Sequence, residues 1–109
     1  LKEAICNWNK ERYGINVAQE TVTIASGVHP GLIAALLAIS PPASKVIMNT
    51  PTYNGFWTDL KWSRTVANEN KLIKDKDGVY HMDWDDFETR LTPDTHAFLL
   101  CNHQNRTGN

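Results

Sequence analysis

Three short segments carry residue types that could contact a ligand. In Ser26-Gly27-Val28-His29-Pro30, a run rich in β-branched residues gives way to an apolar helical run. The amides that open a helix have no acceptor within it, and the helix dipole places partial positive charge at that end. Backbone N–H groups of Val28 and His29 are therefore candidates to hold an anion, with Ser26 and the His29 side chain as further donors. Thr50-Pro51-Thr52-Tyr53 sets a phenol ring just past a second apolar run. There it could stack on a planar ligand or close the edge of a core. The run Asn102-His103-Gln104-Asn105-Arg106-Thr107-Gly108 offers Asn102 and Asn105 as amide donors directly after a third apolar run. Taken singly, these segments also fit a plain strand-to-helix turn, a core-edge tyrosine and a solvated loop.

The elements that must position these residues alternate along the chain. Leu1, Ile5, Trp8 and Arg12 or Tyr13 recur at helical spacing, and Gly14 supplies a stop. Residues 20–26 are rich in β-branched side chains and predict a strand ending at Ser26. Pro30 suits the first turn of the next helix, which runs to Ser40 and is apolar on nearly all sides. Its small face is Gly31, Ala34, Ala35 and Ala38, the pattern of a buried helix. Pro41 and Pro42 end it. Lys45 to Pro51 is a short apolar strand of the kind found in parallel sheets covered on both faces. Residues 52–63 predict a helix with Phe56, Leu60 and Trp57 inward. Residues 65–73 hold an edge strand, and residues 74–78 a polar turn. Asp83 is an N-cap, with Asp85 and Asp86 in the positive first turn and Met82 stapled to Phe87. Trp84, Phe87 and Leu91 would form that helix's buried face, and residues 95–102 another buried strand.

This alternation predicts an α/β fold with a mostly parallel sheet flanked by helices. Ligands of such sheets bind outside the carboxyl ends of the strands, which is where all three polar segments fall. That coincidence is the functional clue.

Composition narrows the alternatives. The chain has 109 residues, 41% apolar and 21% charged, with a net charge of −1. It lacks the basic excess of a nucleic-acid partner, and no apolar run approaches the roughly 20 residues of a membrane span. Cys6 and Cys101 lie far apart without metal or redox spacing and read as free thiols of a reducing, cytoplasmic compartment. His29, His81, His96 and His103 show no metal-ligand spacing, and residues 75–78 lack the spaced acids of a calcium loop. Asp83, Asp85 and Asp86 read as a helix start rather than a catalytic cluster. Trp57 and Trp62 read as packing residues. Asn105-Arg106-Thr107 matches a glycosylation sequon by accident. The opening Leu1 and the closing turn residues Thr107-Gly108-Asn109 read as ends cut from a longer domain.

In their order and spacing these segments resemble fold-type I pyridoxal-phosphate enzymes of the class I/II aminotransferase group. Members of that group carry N-P-x-N-P-T-G in the third segment. This chain keeps Asn102, Asn105, Thr107 and Gly108, and has His103 and Arg106 in place of the prolines. Those prolines stiffen the loop that aims the second asparagine. Trp8, Lys10, Arg12 and Tyr13, with the S-G-V-x-P and T-P-x-Y elements, look most like the cystathionine β-lyase-like carbon–sulfur lyases of the MalY/PatB type.

The resemblance implies that residues 1–109 are part of a large domain that binds pyridoxal 5'-phosphate. Val28 and His29 would hold the cofactor phosphate, Tyr53 would stack on its pyridine ring, and Asn105 would donate to its phenolate oxygen. The parent would act on an amino acid as a homodimer, with no nucleic-acid or membrane partner. β-Elimination at a carbon–sulfur bond, releasing thiol, pyruvate and ammonia, is the first reading, and transamination with a keto acid the alternative. A non-catalytic truncated remnant is a third. The family places its cofactor-holding lysine, the aspartate facing the pyridine nitrogen and the arginine for the substrate carboxylate beyond this motif. No residue of this chain is therefore assigned as catalytic, and Lys45, Lys61 and Lys71 are not promoted to the lysine's role.

Overall fold

The computed structural model describes residues 1–108. Helix α1 (Lys2–Tyr13) ends at Gly14, whose φ of 68° is a left-handed conformation open to a residue without a Cβ. Its N–H closes the helix on the Lys10 carbonyl at 3.0 Å. The chain then forms α2 (Val28–Ile39), β1 (Lys45–Thr50), α3 (Gly55–Trp62) and β2 (Val66–Lys71). A small hairpin of β3 (Ile73–Lys74) and β4 (Tyr80–His81) precedes α4 (Trp84–Thr89) and β5 (Thr95–Leu99). The sheet order is β2-β1-β5, and both pairings are parallel. The expected α/β architecture is therefore present. In the polar turn at residues 74–78, Asp75 Oδ1 accepts the N–H groups of Asp77 and Val79 at 2.9 Å each.

Strand periodicity divides the sheet into two unlike faces, because successive side chains point to opposite sides. Val46 and Met48 point to one side, in register with Ala67 on β2 and with Ala97 and Leu99 on β5. The small alanines leave room for helices, and Leu36 of α2 with Phe56 and Leu60 of α3 complete this core. Ile47 and Asn49 point the other way, in register with Asn68 and Asn70. On that face amides dock α4 alongside the Phe87–Phe98 ring contact. Asn49 Nδ2 donates to Asn70 Oδ1 at 2.8 Å, and Asn70 Nδ2 donates to the Asp83 carbonyl and to Asp86 Oδ2. Asn68 and Arg90 exchange two further bonds. Asp83 caps α4 by accepting the Asp86 N–H at 3.0 Å, as its position predicts. The Arg90 guanidinium, and then the Asn70 amide, hold the Asp86 carboxyl below the ordinary carboxylate range.

Several expectations about burial do not hold. Residues 22–26 form no strand and pair with none among the described residues, and Gln19–Thr21 forms a single 3₁₀ turn. β-Branched residues favour extended backbone, yet a strand also needs a neighbour to bond. Helix α2 buries only Leu36, because one face rests on α3 and β5 while Leu37, Ile39 and Val28 stay exposed. β5 lies at the sheet edge, its side chains alternately half-buried and exposed, so it is not a fully buried strand. In α3 the third inward residue is Asp59, whereas Trp57 is 42% exposed and Trp62 65%. Neither tryptophan is a core residue. Of the three apolar residues in or beside α4, only Phe87 is covered, 5.0 Å from Phe98 between ring centroids, while Trp84 and Leu91 are exposed. No helix among the described residues is long and apolar enough to cross a membrane.

The amide face generates a stability prediction. Asn70 is completely buried and joins β1, β2 and α4 through three hydrogen bonds. Asn70→Ala strands the Asn49 amide and the Asp83 carbonyl, and should cost about 2–3 kcal/mol in a urea titration. Asp83→Ala, which loses only a cap, should cost about 1 kcal/mol.

Candidate functional site

Parallel pairing brings the carboxyl ends of β1 and β5 to one edge of the sheet, and the N-terminus of α2 faces the same edge. Gly27 is the N-cap of α2, and no side chain caps the helix. Pro30 has no N–H to offer, and the Gly31 N–H is already bonded to the Gly27 carbonyl at 3.1 Å. The amides of Val28 and His29 are thus the helix-opening donors left over. They sit at the positive end of the helix dipole, where an anion is stabilised.

Tyr53 follows β1 and packs edge-on against Phe56 at 5.6 Å. Its ring also lies 5.7 Å from the His29 ring. Gly55 makes this arrangement possible. A Cβ there would collide with Tyr53 Cε1 and lie 2.8 Å from His29 Cε1, so no side chain fits while both rings keep their places. A Cβ at Gly27, the glycine that the sequence marks in the turn, would meet only Pro30 Cδ at 3.6 Å, an ordinary contact. The His29 imidazole turns toward α3, where Nδ1–H donates to both carboxylate oxygens of Asp59 at 2.9 and 2.8 Å. The Asp59 side chain is 3% exposed and that of His29 46%.

The loop after β5 lacks the two prolines of the family motif, and side chains brace it instead. Gln104 Nε2 donates to the Pro51 carbonyl at 3.1 Å. Arg106 reaches the same segment twice, through Nε to the Thr52 carbonyl at 3.3 Å and through Nη2 to Asn54 Oδ1 at 3.2 Å. Within the loop, the Arg106 N–H donates to Gln104 Oε1 and the Gly108 N–H to the Gln104 carbonyl. The Asn102–His103 peptide bond is cis, as is Thr50–Pro51.

These restraints bring Val28, His29, Tyr53 and Asn105 to the wall of one open cavity of about 300 Å³, together with Phe56 and Cys101. Two expected contributors are elsewhere. Ser26 lines a groove between residues 23–26 and the small face of α2. Asn102 lines an adjoining cavity with Asn49 and Thr107, whose buried hydroxyl has no partner among the described residues. Sequence reasoning passed over Gly55, Asp59, Gln104 and Arg106. Asp59 did leave a signal: it shares the helical face of Phe56 and Leu60 at three- and four-residue spacing, so its carboxylate had to find a partner. Among the described residues no group of three or more His, Cys, Asp or Glu could hold a metal ion. Lys45 lies at the opposite end of β1, paired with Asp94 at 3.0 Å.

Two free amides at a helix start, a ring held on a glycine and an amide donor suit a planar molecule that carries an anionic group. The class is an α/β domain that cradles such a cofactor at the carboxyl edge of its sheet. The chain belongs to the aminotransferase class I and II family, which it matches over residues 1–109. It is 34% identical to the cystathionine β-lyase PatB of Bacillus subtilis, covering 98% of this chain and 28% of that protein. It is 26% identical to a probable N-succinyldiaminopimelate aminotransferase, DapC, of Mycobacterium tuberculosis, over 99% of this chain and 27% of the relative. The PLP-bound carbon–sulfur lyase of Staphylococcus hominis superposes with a TM-score of 0.90 at 29% identity, covering 98% of this chain and 28% of the lyase. The chain thus spans little more than a quarter of the length of these proteins.

Because side chains rather than prolines restrain the 102–108 loop, its order should depend on them. Removing both in Gln104→Ala/Arg106→Ala should speed amide hydrogen exchange at Arg106 and Gly108 by about tenfold. Exchange in β1 should not change. Unaltered loop exchange in the double variant would show that the braces restrain nothing.

Proposed function

We propose that this chain is part of the cofactor-binding large domain of a longer pyridoxal-phosphate enzyme, and that the enzyme cleaves a carbon–sulfur bond of an amino acid by β-elimination. The observation that carries the cofactor reading is the convergence of Val28, His29, Tyr53 and Asn105, from three separate segments, on one cavity. The donor set fits the group. The Val28 and His29 amides would hold the phosphate, the Tyr53 ring would lie against the pyridine, and the Asn105 amide would donate to the phenolate oxygen. The position of Gly55 supports the fit, because any Cβ there would drive the Tyr53 ring from its place. When bound, pyridoxal phosphate supplies an aldehyde for the substrate amino group and a ring that takes up the electrons left by α-proton removal. This chain's share is to bind and orient that ring and to tune it through the Asn105 hydrogen bond.

No lysine lines the cavity. A lysine that holds the cofactor and moves the α-proton needs an enclosed, positioned site. We assign that lysine to the remainder of the enzyme, together with the groups that bind the substrate carboxylate. Carbon–sulfur cleavage is preferred over transamination because similarity to PatB, at 34%, exceeds that to the aminotransferase, at 26%. The latter similarity is what supports the alternative.

Reaction type can be tested on the full-length enzyme supplied with pyridoxal phosphate. L-Cystathionine should yield thiol, pyruvate and ammonia with no keto acid added. Turnover that requires a keto acid and releases no thiol would establish transamination instead.

Cofactor attachment can be tested on residues 1–109 alone. After incubation with pyridoxal phosphate and borohydride reduction, peptide mass spectrometry should find sparse label spread over exposed lysines. Stoichiometric label on one of them would place the anchoring lysine within this chain.

A further inference from the structure

Among the described residues Asp59 is the one buried carboxylate, and it lies on a helical face otherwise made of Phe56 and Leu60. Burial of an acid is unfavourable unless its oxygens are satisfied. Both oxygens accept from His29 Nδ1, a side chain from a different helix and nearly half exposed at the cavity wall. The imidazole so anchored lies against the Tyr53 ring, and both rings close over the space left by Gly55. His29 also carries one of the two backbone amides left over at the start of α2.

From this geometry we propose that Asp59 is a positioning residue of the cofactor site. Its carboxylate holds the His29 imidazole, which ties the anion-binding turn of α2 to α3 and sets the rest position of the Tyr53 ring. The anion site and the stacking ring then keep a fixed spacing, because one side chain touches both. Thr58 and Trp62 line the opposite side of the same pair, across a separate cavity that also takes in Ile33 and Gly55. The role rests on the cofactor reading proposed above, and Asp59 itself touches no ligand in it.

The test uses the full-length enzyme loaded with pyridoxal phosphate. It reads the cofactor dissociation constant, the visible circular dichroism of the bound cofactor, and the thermal midpoint of the cofactor-free protein. Asp59→Leu removes the acceptor and should weaken cofactor affinity by about tenfold, with a diminished dichroic band that a merely stabilising residue would leave intact. Asp59→Asn keeps an oxygen for Nδ1–H and should stay within about threefold of the wild-type affinity.

His29→Ala/Asp59→Leu leaves no charge buried and should fold even if Asp59→Leu does not, since apolar replacement of both partners of a buried pair is often neutral. It retains the backbone amide of residue 29, and should lose affinity as Asp59→Leu does. Wild-type affinity and dichroism in either folded leucine variant would overturn the proposal. So would a loss in Asp59→Asn as large as in Asp59→Leu. Tyr53→Ala and Asn105→Ala separate the two levels. If they weaken binding and the Asp59 variants do not, the positioning role alone fails; if they too bind normally, the cofactor reading falls and the proposal with it.

Discussion

Because β1 pairs in parallel with β2 on one side and β5 on the other, the carboxyl ends of the strands share one edge, and the geometry of the candidate site depends on that alignment. Antiparallel pairing would send the segments after β1 and β5 to opposite ends of the sheet. In the parallel arrangement Tyr53 and Asn105, far apart in sequence, face the start of α2 across a single cavity. The central strand can accept partners on both sides because its residues 46–49 are fully covered. One face is closed by hydrocarbon from α2 and α3. The other is closed by a chain of amides to α4 and by the Phe87–Phe98 ring contact, and both solutions leave the backbone polar groups of β1 bonded.

The two faces differ in what they permit. Hydrocarbon packing is non-directional and tolerates small shifts of α2 and α3. A site built only on such contacts would not hold an anion donor and an aromatic ring at a constant separation. The directional bonds are the ones between His29 and Asp59 and those from Gln104 and Arg106 to the 51–54 segment. They join the three segments of the cavity wall to each other. Pro30, which has no N–H, and the bonded Gly31 amide confine the free donors of α2 to two adjacent residues.

The 102–108 loop has side-chain braces where the family motif has prolines. Prolines stiffen a loop by restricting the backbone torsions of the unfolded and folded chain alike. Here Arg106 occupies one of those positions and contributes two hydrogen bonds to a neighbouring segment. Such bonds are solvent-exposed and individually weak. Together with Gln104 they act across one short interface, so the loop position is set by contacts to the rest of the fold instead of by its own torsions.

Local chemistry was legible in the sequence: the glycine stop of α1, the Asp83 cap, the proline-bounded α2, the covered strand at 45–50 and the three polar segments after apolar runs. Each depends on residues within a few positions of one another, and periodicity or capping reports it directly. The sequence also offered the four candidate residues, singled out from their segments by resemblance to the family's motifs. The unpaired state of residues 22–26, the edge position of β5, the exposure of Trp57 and Trp84, and the roles of Gly55 and Asp59 were decided by tertiary structure. A strand's neighbours, a helix's covered face and the partner of a buried carboxylate are set by residues tens of positions away. Their identities bear on each other only once the chain has folded, and no local pattern records the distance between them.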